Sequence, residues 1–149
     1  MKTIVRALTV GALLVVAARP LVAQGINGNW ITEFERQLRN ENGEVSGGEK
    51  AKARLVLTRK RDSVTGTWQM LEGSAPSRAL KGTISGNKVS LTSQVQAKRN
   101  INGEESVVTL TVVYDFTIEG DKLQGTSTAK GSDMEMPPRP FTAVREARK

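Results

Sequence analysis

The clearest pattern in the chain is an alternation of apolar and polar residues with a period of two, which is typical of a β-strand with one buried face. It is strongest at residues 106–118, where one face carries Val108, Leu110, Val112, Tyr114, Phe116 and Ile118. Threonine and aspartate fill most of the other face, although Val107 and Val113 interrupt it. No stretch after Gln24 has the spacing of an amphipathic helix, so the pattern predicts an all-β domain.

The same alternation recurs in eight segments: 28–38, 51–60, 63–71, 78–85, 88–98, 106–118, 122–130 and 139–146. Turn-forming pairs separate them, such as Asn42-Gly43, Arg61-Asp62, Gly86-Asn87, Asn102-Gly103 and Gly120-Asp121. Because most connections are short, each strand is expected to pair antiparallel with the next. Twist and the cost of exposed edges favour closure, so we predict an eight-stranded antiparallel up-and-down β-barrel, with a two-sheet β-sandwich as the alternative.

Three of these strands contain the same four-residue pattern, in which an apolar residue and one further residue of any type are followed by Gly-Thr. The glycines of this pattern are Gly66, Gly82 and Gly125. Glycine weakens a strand unless it marks a bend, a bulge or a close approach of another backbone. We therefore expect these positions to mark where a small barrel curls.

Carrying the alternation through every strand places all six aromatic side chains on the inner face, including Phe141. These rings could simply fill the core. Alternatively, small residues on the same face would leave a mostly apolar hollow with a few hydroxyl groups, which is typical of a small-molecule site. The small residues are Ala51, Ala53, Gly66, Gly82, Ser93, Gly125, Ser127, Ala129 and Ala143. The candidate ligand-binding residues of the interior are Trp30, Phe34, Trp68, Tyr114, Phe116, Thr32, Ser93 and Ser127.

The N-terminus has the three regions of a secretory signal peptide. Lys2 and Arg6 precede an apolar run that ends at Ala18, and Leu21-Val22-Ala23 supplies a small-residue cleavage site. A transmembrane helix would need about 20 apolar residues, and Arg19-Pro20 interrupts the run too early. We expect a signal peptide at 1–23 and a single β-barrel domain at 24–149, exported by a Sec-type route to the periplasm or the medium of a bacterium.

Composition argues against several classes of function. The net charge of +7 falls to +4 without Lys2, Arg6 and Arg19, and the basic run 59–61 resembles a hairpin tip, so no nucleic-acid partner is expected. The chain has no His and no Cys, which removes the commonest general base, the strongest nucleophile and imidazole or thiolate zinc sites. Glu33, Glu35 and Asp115 fall on the predicted outer face, so a carboxylate-based enzyme is a distant option. We predict no enzyme, no cofactor and no metal.

Three short motifs suggest a family. Gly28-Asn29-Trp30, at the start of the first strand, resembles the Gly-x-Trp of the calycin group of barrels, the lipocalins and avidins. Residues 64–68 and 80–83 resemble the Phe-Thr-Gly-Thr-Tyr and Leu-x-Gly-Thr strands of avidins. The resemblance implies a barrel in which Trp30 packs across the closed end. The Asn and Ser that hold biotin in avidins are replaced by residues 31–35, and the capping Trp by Tyr114 or Phe116, so biotin binding is not implied. The disulfide and C-terminal helix typical of lipocalins are not evident.

These observations give one leading functional hypothesis and one alternative. The first is an exported, non-enzymatic barrel that binds a small, largely apolar molecule in its interior. The second is a packed structural or interaction module of the cell envelope that acts through its outer surface. We expect no second apolar segment to span a membrane, and the sequence carries no signal for an oligomeric state.

Overall fold

The computed structural model of the protein describes residues 25–39 and 45–147. The expected signal peptide at 1–23, Gln24 and the Asn42-Gly43 turn lie outside the described residues. The strands are β1 Gly28–Arg39, β2 Val45–Lys60, β3 Ser63–Met70, β4 Arg78–Ser85, β5 Lys88–Ile101, β6 Glu104–Glu119, β7 Lys122–Lys130 and β8 Arg139–Arg145. The described part of the chain contains no helix that is long and apolar enough to cross a membrane.

The eight strands form a closed antiparallel barrel in which each strand pairs with its neighbours in sequence and β8 returns to β1. The predicted barrel is confirmed, and the sandwich alternative is wrong. The eight predicted strands are all present, and the main difference is at β2, which begins at Val45 rather than Ala51. Residues 48–50 are exposed, so no buried face imposes an apolar alternation on this part of the strand. Its pairing with β1, which includes Glu35↔Lys50 and Arg36↔Glu49, defines it instead.

The first described residues fold across one end of the barrel, which we call the closed end. Trp30 Nε1 donates a hydrogen bond of 2.9 Å to the carbonyl oxygen of Ile26, and both side chains are fully buried. The Oδ1 of Asn27 accepts a 2.6 Å hydrogen bond from the backbone N–H of Arg59, which ties this segment to the end of β2. Trp30 is therefore buried against the segment that precedes β1.

Arg145, at the end of β8, contacts several of the segments that meet at the closed end. Its guanidinium carbon lies 4.1 Å from the centre of the Trp30 ring, within the range of a cation–π contact. Its nitrogens donate to the carbonyl oxygens of Gly25 and Asn27 at 2.8 and 2.9 Å and to Asp121 Oδ1 at 2.8 Å. One side chain thus connects the N-terminal segment, β1, β8 and the β6–β7 turn.

Side chains reinforce the seam between β1 and β8, which contains only three paired positions, Trp30↔Arg145, Ile31↔Val144 and Thr32↔Ala143. Thr32 Oγ1 donates a 2.7 Å hydrogen bond to the carbonyl oxygen of Thr142. Arg54 on β2 reaches past β1 to Glu146 with two hydrogen bonds of 2.6 and 2.9 Å. These contacts extend the seam beyond its short backbone ladder.

The three strand glycines lie where neighbouring backbones approach closely. A Cβ atom on Gly66, Gly82 or Gly125 would overlap the backbone carbonyl oxygen of Val56, Ser90 or Asp115, respectively. Close approach of a neighbouring backbone is thus the reason for glycine at these positions, whereas the sequence predicted that they mark where the barrel curls. These glycines do not enlarge the interior, because the adjacent strand already occupies the space that a side chain would take.

Two hairpins are longer than their neighbours and project beyond the barrel at the end opposite Trp30. β4 pairs with β5 only as far as Thr92, and β7 pairs with β6 only from Thr111, whereas β5 and β6 pair with each other out to Ile101↔Glu104. Likewise, β1 and β2 pair out to Arg39↔Val45. The connections at 71–77 and 131–138 lie between these two hairpins on the same end.

Replacing Arg145 by Leu should lower the free energy of unfolding by about 2–4 kcal/mol, because one cation–π contact and several charge-assisted hydrogen bonds are lost together. Arg139→Leu is the matched control, since Arg139 is an exposed residue at the other end of the same strand. Urea unfolding followed by tryptophan fluorescence measures both. Equal losses in the two variants would contradict the role given to Arg145.

Replacing Gly125 by Ala should destabilise the barrel by about 1–3 kcal/mol, because the new methyl group forces two packed strands apart. Gly25→Ala is the control, since a Cβ there meets no atom within 4 Å. Urea midpoints of the two variants give the comparison. A Gly125→Ala protein as stable as the control would show that the strands separate there at no cost.

Candidate functional site

The two ends of the barrel interior differ in how completely their side chains are buried. Near the closed end, Ile26, Trp30 and Leu123 are fully buried. Toward the opposite end, which we call the open end, the inward-facing Phe34 and Met70 are only partly buried. Phe34 and Met70 therefore mark the end at which the inward-facing side chains are less completely buried.

Five inward-facing rings form a continuous series of contacts, which we call the aromatic row. Ring centres are separated by 5.7 Å for Phe34 and Trp68, 5.5 Å for Trp68 and Tyr114, 5.3 Å for Tyr114 and Phe141, and 5.4 Å for Phe141 and Phe116. These distances lie within the usual range for aromatic pairs. The inward placement predicted for all six aromatics is confirmed, and the sixth, Trp30, lies at the closed end beneath Arg145.

The predicted hydroxyl groups have different surroundings. Thr32 Oγ1 is already bonded to the carbonyl oxygen of Thr142, so it is committed to the β1–β8 seam. Ser127 is only partly buried. Ser93 is 3% exposed, and its Oγ has no hydrogen-bond partner among the described residues. Of the three, Ser93 is the buried hydroxyl that remains available to a ligand.

A second buried polar atom lies in the aromatic row itself. The Nε1 of Trp68 is buried without a hydrogen-bond partner in the described part of the chain, whereas the Nε1 of Trp30 is bonded. Leaving a buried donor unpaired costs about 1–3 kcal/mol, so nearly all such groups in folded proteins are paired. Trp68 and Ser93 are thus two unsatisfied groups on the inner face.

Arg78, which belongs to the same region, is not among the site residues predicted from the sequence. Arg78 begins β4 and pairs in register with Trp68, and its guanidinium carbon lies 5.0 Å from the centre of the Trp68 ring. The alternation that turns Leu80 inward also turns Arg78 inward, so the signal was present in the sequence. A cation at the end of a strand is usually solvated, and the ring beneath it gives this one a defined position.

Tyr114 shows that the aromatic row is a low-polarity environment. Burial raises the pKa of Tyr114 above the ordinary value of 10.0, because the charged phenolate would lose its hydration. The positive charge of Arg78 offsets part of this rise in pKa. The guanidinium of Arg78 is therefore close enough to influence the interior as well as the surface.

The acidic residues lie outside this region. Glu33 is an exposed partner of Lys50 and Lys52 on the outer face, and Asp115 is exposed. In the connection at 131–138, Asp133 accepts a 3.1 Å hydrogen bond from Arg99 on β5, which lowers the pKa of the Asp133 carboxyl. Among residues 25–39 and 45–147, no group of three or more acidic side chains could hold a metal ion.

The outer wall of the barrel carries a shallow groove of about 460 Å³ across β4 to β7. Its lining includes the outward-facing polar side chains Thr83, Ser85, Lys88, Ser90, Asp115, Thr117 and Gln124. The register pairs Thr83↔Ser90 and Ser90↔Asp115 make these side chains neighbours across the strands. Val89, Phe116 and Gly125 also line the groove, and most of its accessible surface is apolar.

Tyr114 is the only tyrosine in the chain, so its ionisation can be followed directly by the ultraviolet absorbance of the phenolate. The midpoint should lie above pH 10.0, and Arg78→Gln should raise it further because the offsetting charge is removed. Above pH 10.0 the unfolded chain loses this proton before the folded chain does, so the free energy of unfolding should fall as the pH rises.

The matched control for this titration is Lys81→Gln, which removes an exposed charge from the same strand and should leave the Tyr114 midpoint unchanged. Near-ultraviolet circular dichroism at each pH restricts the measurement to the folded barrel. A midpoint at or below pH 10.0 would show that the phenol is solvated.

Comparisons of the chain with protein-family models, with curated proteins and with solved structures find no match. The architecture therefore stands on the structure alone. It is an eight-stranded closed antiparallel barrel, consistent with a calycin-like fold.

Proposed function

We propose that the protein is an exported, non-enzymatic barrel that binds a small, largely apolar molecule on the inner face of its open end. The observation that carries this proposal is the pair of buried, unsatisfied polar atoms, Trp68 Nε1 and Ser93 Oγ, in an aromatic interior that includes the partly exposed ring of Phe34. An apolar lining with a few convergent polar groups is typical of small-molecule sites. A ligand that supplied hydrogen-bond acceptors would remove the cost of the unpaired donors.

The ligand would contact the upper part of the aromatic row. Phe34 and Trp68 would supply apolar contact, since Phe34 is partly exposed and Trp68 lies 5.7 Å from it. Tyr114 and Phe116 would form the lower wall, while Ser93 and Ser127 would offer hydroxyl groups. Trp30 would act only by closing the far end, because it is fully buried beneath Arg145.

The proposal includes no catalytic role, and the chemistry of the chain supports this part of it. The chain has no His or Cys, and the carboxylates on the outer face are exposed or paired with lysines. A general base needs to be within hydrogen-bond reach of the reacting proton. The inner face offers hydroxyl, indole and guanidinium groups, which suit binding rather than proton abstraction.

A larger side chain placed in the interior distinguishes a ligand-binding site from a packed core, because a packed core has no space for it. Wild-type protein should bind the uncharged fluorescent probe N-phenyl-1-naphthylamine. Ser93→Leu should weaken that binding by about tenfold or more, which corresponds to about 1.4 kcal/mol of binding energy. The free energy of unfolding should stay within about 1 kcal/mol of wild type if the added side chain enters space that the ligand uses.

Gln94→Leu is the control, because Gln94 is exposed on the outer face of the same strand. It should leave probe binding unchanged. A wild-type protein that does not bind the probe would contradict the proposal. So would a Ser93→Leu variant that is destabilised by about 1–3 kcal/mol, the cost of overpacking a filled core.

A second candidate function has its own supporting observation. The rings of the aromatic row contact one another at 5.3 to 5.7 Å, as in a packed core, and the outer wall carries the open groove across β4 to β7. A packed module of the cell envelope that acts through its outer surface would have both features. The overpacking result for Ser93→Leu would favour this candidate.

A further inference from the structure

Arg78 has no carboxylate partner in the described part of the chain, and it differs from the equally unpaired Arg59, Arg61 and Arg139 in being half-buried rather than exposed. Arg54 pairs with Glu146, Arg99 with Asp133 and Arg145 with Asp121. Arg78 forms no ion pair within residues 25–39 and 45–147. Instead it is half-buried, faces inward and lies over Trp68. A positive charge therefore lies at the edge of the proposed ligand site without an internal counterion.

The other unsatisfied groups around it are also hydrogen-bond donors. An indole N–H can only donate, a guanidinium offers five N–H donors, and a serine hydroxyl can donate one. Trp68 Nε1 and Ser93 Oγ are both buried without a partner in the described chain. Ser93 belongs to β5, and its register partner Val112 lies two residues from Tyr114, which stacks on Trp68. The site thus presents donors and positive charge to a ligand that must supply acceptors.

We propose that the ligand is an organic anion, with an apolar body against the aromatic row and a carboxylate-like group at Arg78. This inference rests on the proposed function and adds the class of molecule to it. A guanidinium matches a carboxylate with two parallel hydrogen bonds, and such charge-assisted bonds are stronger than neutral ones. Removal from water strengthens the attraction further.

The surroundings of Tyr114 support this assignment independently. Burial raises the pKa of Tyr114, and the positive charge of Arg78 offsets part of that rise. The field of the Arg78 guanidinium therefore extends into the aromatic row. An anionic group held there would interact with a charge that solvent does not fully screen. Removing the charge should therefore affect an anion more than an uncharged molecule of the same length.

Three molecules with the same alkyl chain test the preference on the wild-type protein. Dodecanoate, dodecanol and dodecylamine carry a negative, a zero and a positive charge at neutral pH, and each is titrated against bound N-phenyl-1-naphthylamine below its micelle-forming concentration. Dodecanoate should displace the probe at about one tenth of the dodecanol concentration, the effect of one charge-assisted hydrogen bond. Dodecylamine should be the weakest.

Three variants then locate the preference. Arg78→Gln should raise the dissociation constant of dodecanoate about tenfold and leave that of dodecanol unchanged. Lys81→Gln removes one charge from the outer face of the same strand and should leave both constants unchanged. Arg78→Lys keeps the charge but loses the paired hydrogen bonds, so it should give an intermediate value. Urea midpoints establish that each variant is folded.

The outcomes separate the two proposals. If none of the three molecules displaces the probe and the probe itself does not bind, the proposed function fails. If all three displace it equally, the binding function stands and the anion preference is overturned. Equal weakening of dodecanoate in Arg78→Gln and Lys81→Gln would also overturn it, because net charge and not position would then govern binding.

Discussion

The contact between Arg145 and Trp30 is the interaction on which the rest of the structure depends. A barrel exists only if its last strand pairs with its first, and here that seam has three paired positions. The guanidinium lies over the indole and also holds the carbonyl groups of Gly25 and Asn27. The seam therefore remains closed although its backbone ladder is short, and the inward residues of all eight strands remain on one shared face.

Closure in this way makes the two ends of the interior chemically different. At the closed end, Trp30 has its N–H bonded, its face covered by a cation and its side chain fully buried. At the open end, Trp68 also lies beneath an arginine, yet its N–H has no partner among the described residues. At the closed end, the tryptophan beneath an arginine has its N–H bonded. At the open end, the same arrangement leaves the N–H of Trp68 available as a donor.

The strands and the inward rings could be predicted because a period of two assigns every residue to a face without knowledge of its neighbours. The seam could not be predicted in this way. The role of Arg145 depends on the meeting of the N-terminal segment, the end of β8 and Asp121, which are distant in sequence. Arg78 was missed for another reason, since a charge at the start of a strand is ordinarily read as solvated. The early start of β2 left no apolar signal, because residues 48–50 are exposed.

The unequal lengths of the hairpins leave strand edges uncovered at the open end. Closure removes sheet edges only where all eight strands run side by side, and β5 and β6 continue past their outer neighbours. Such edges are templates on which a second chain can add strands. Lys98 and Glu105 lie on this hairpin and pair with each other at 3.7 Å, with most of both side chains in solvent. At this end of the molecule, resistance to edge-to-edge association is thus expected to depend on exposed charge. Along the rest of the barrel, closure itself removes the strand edges.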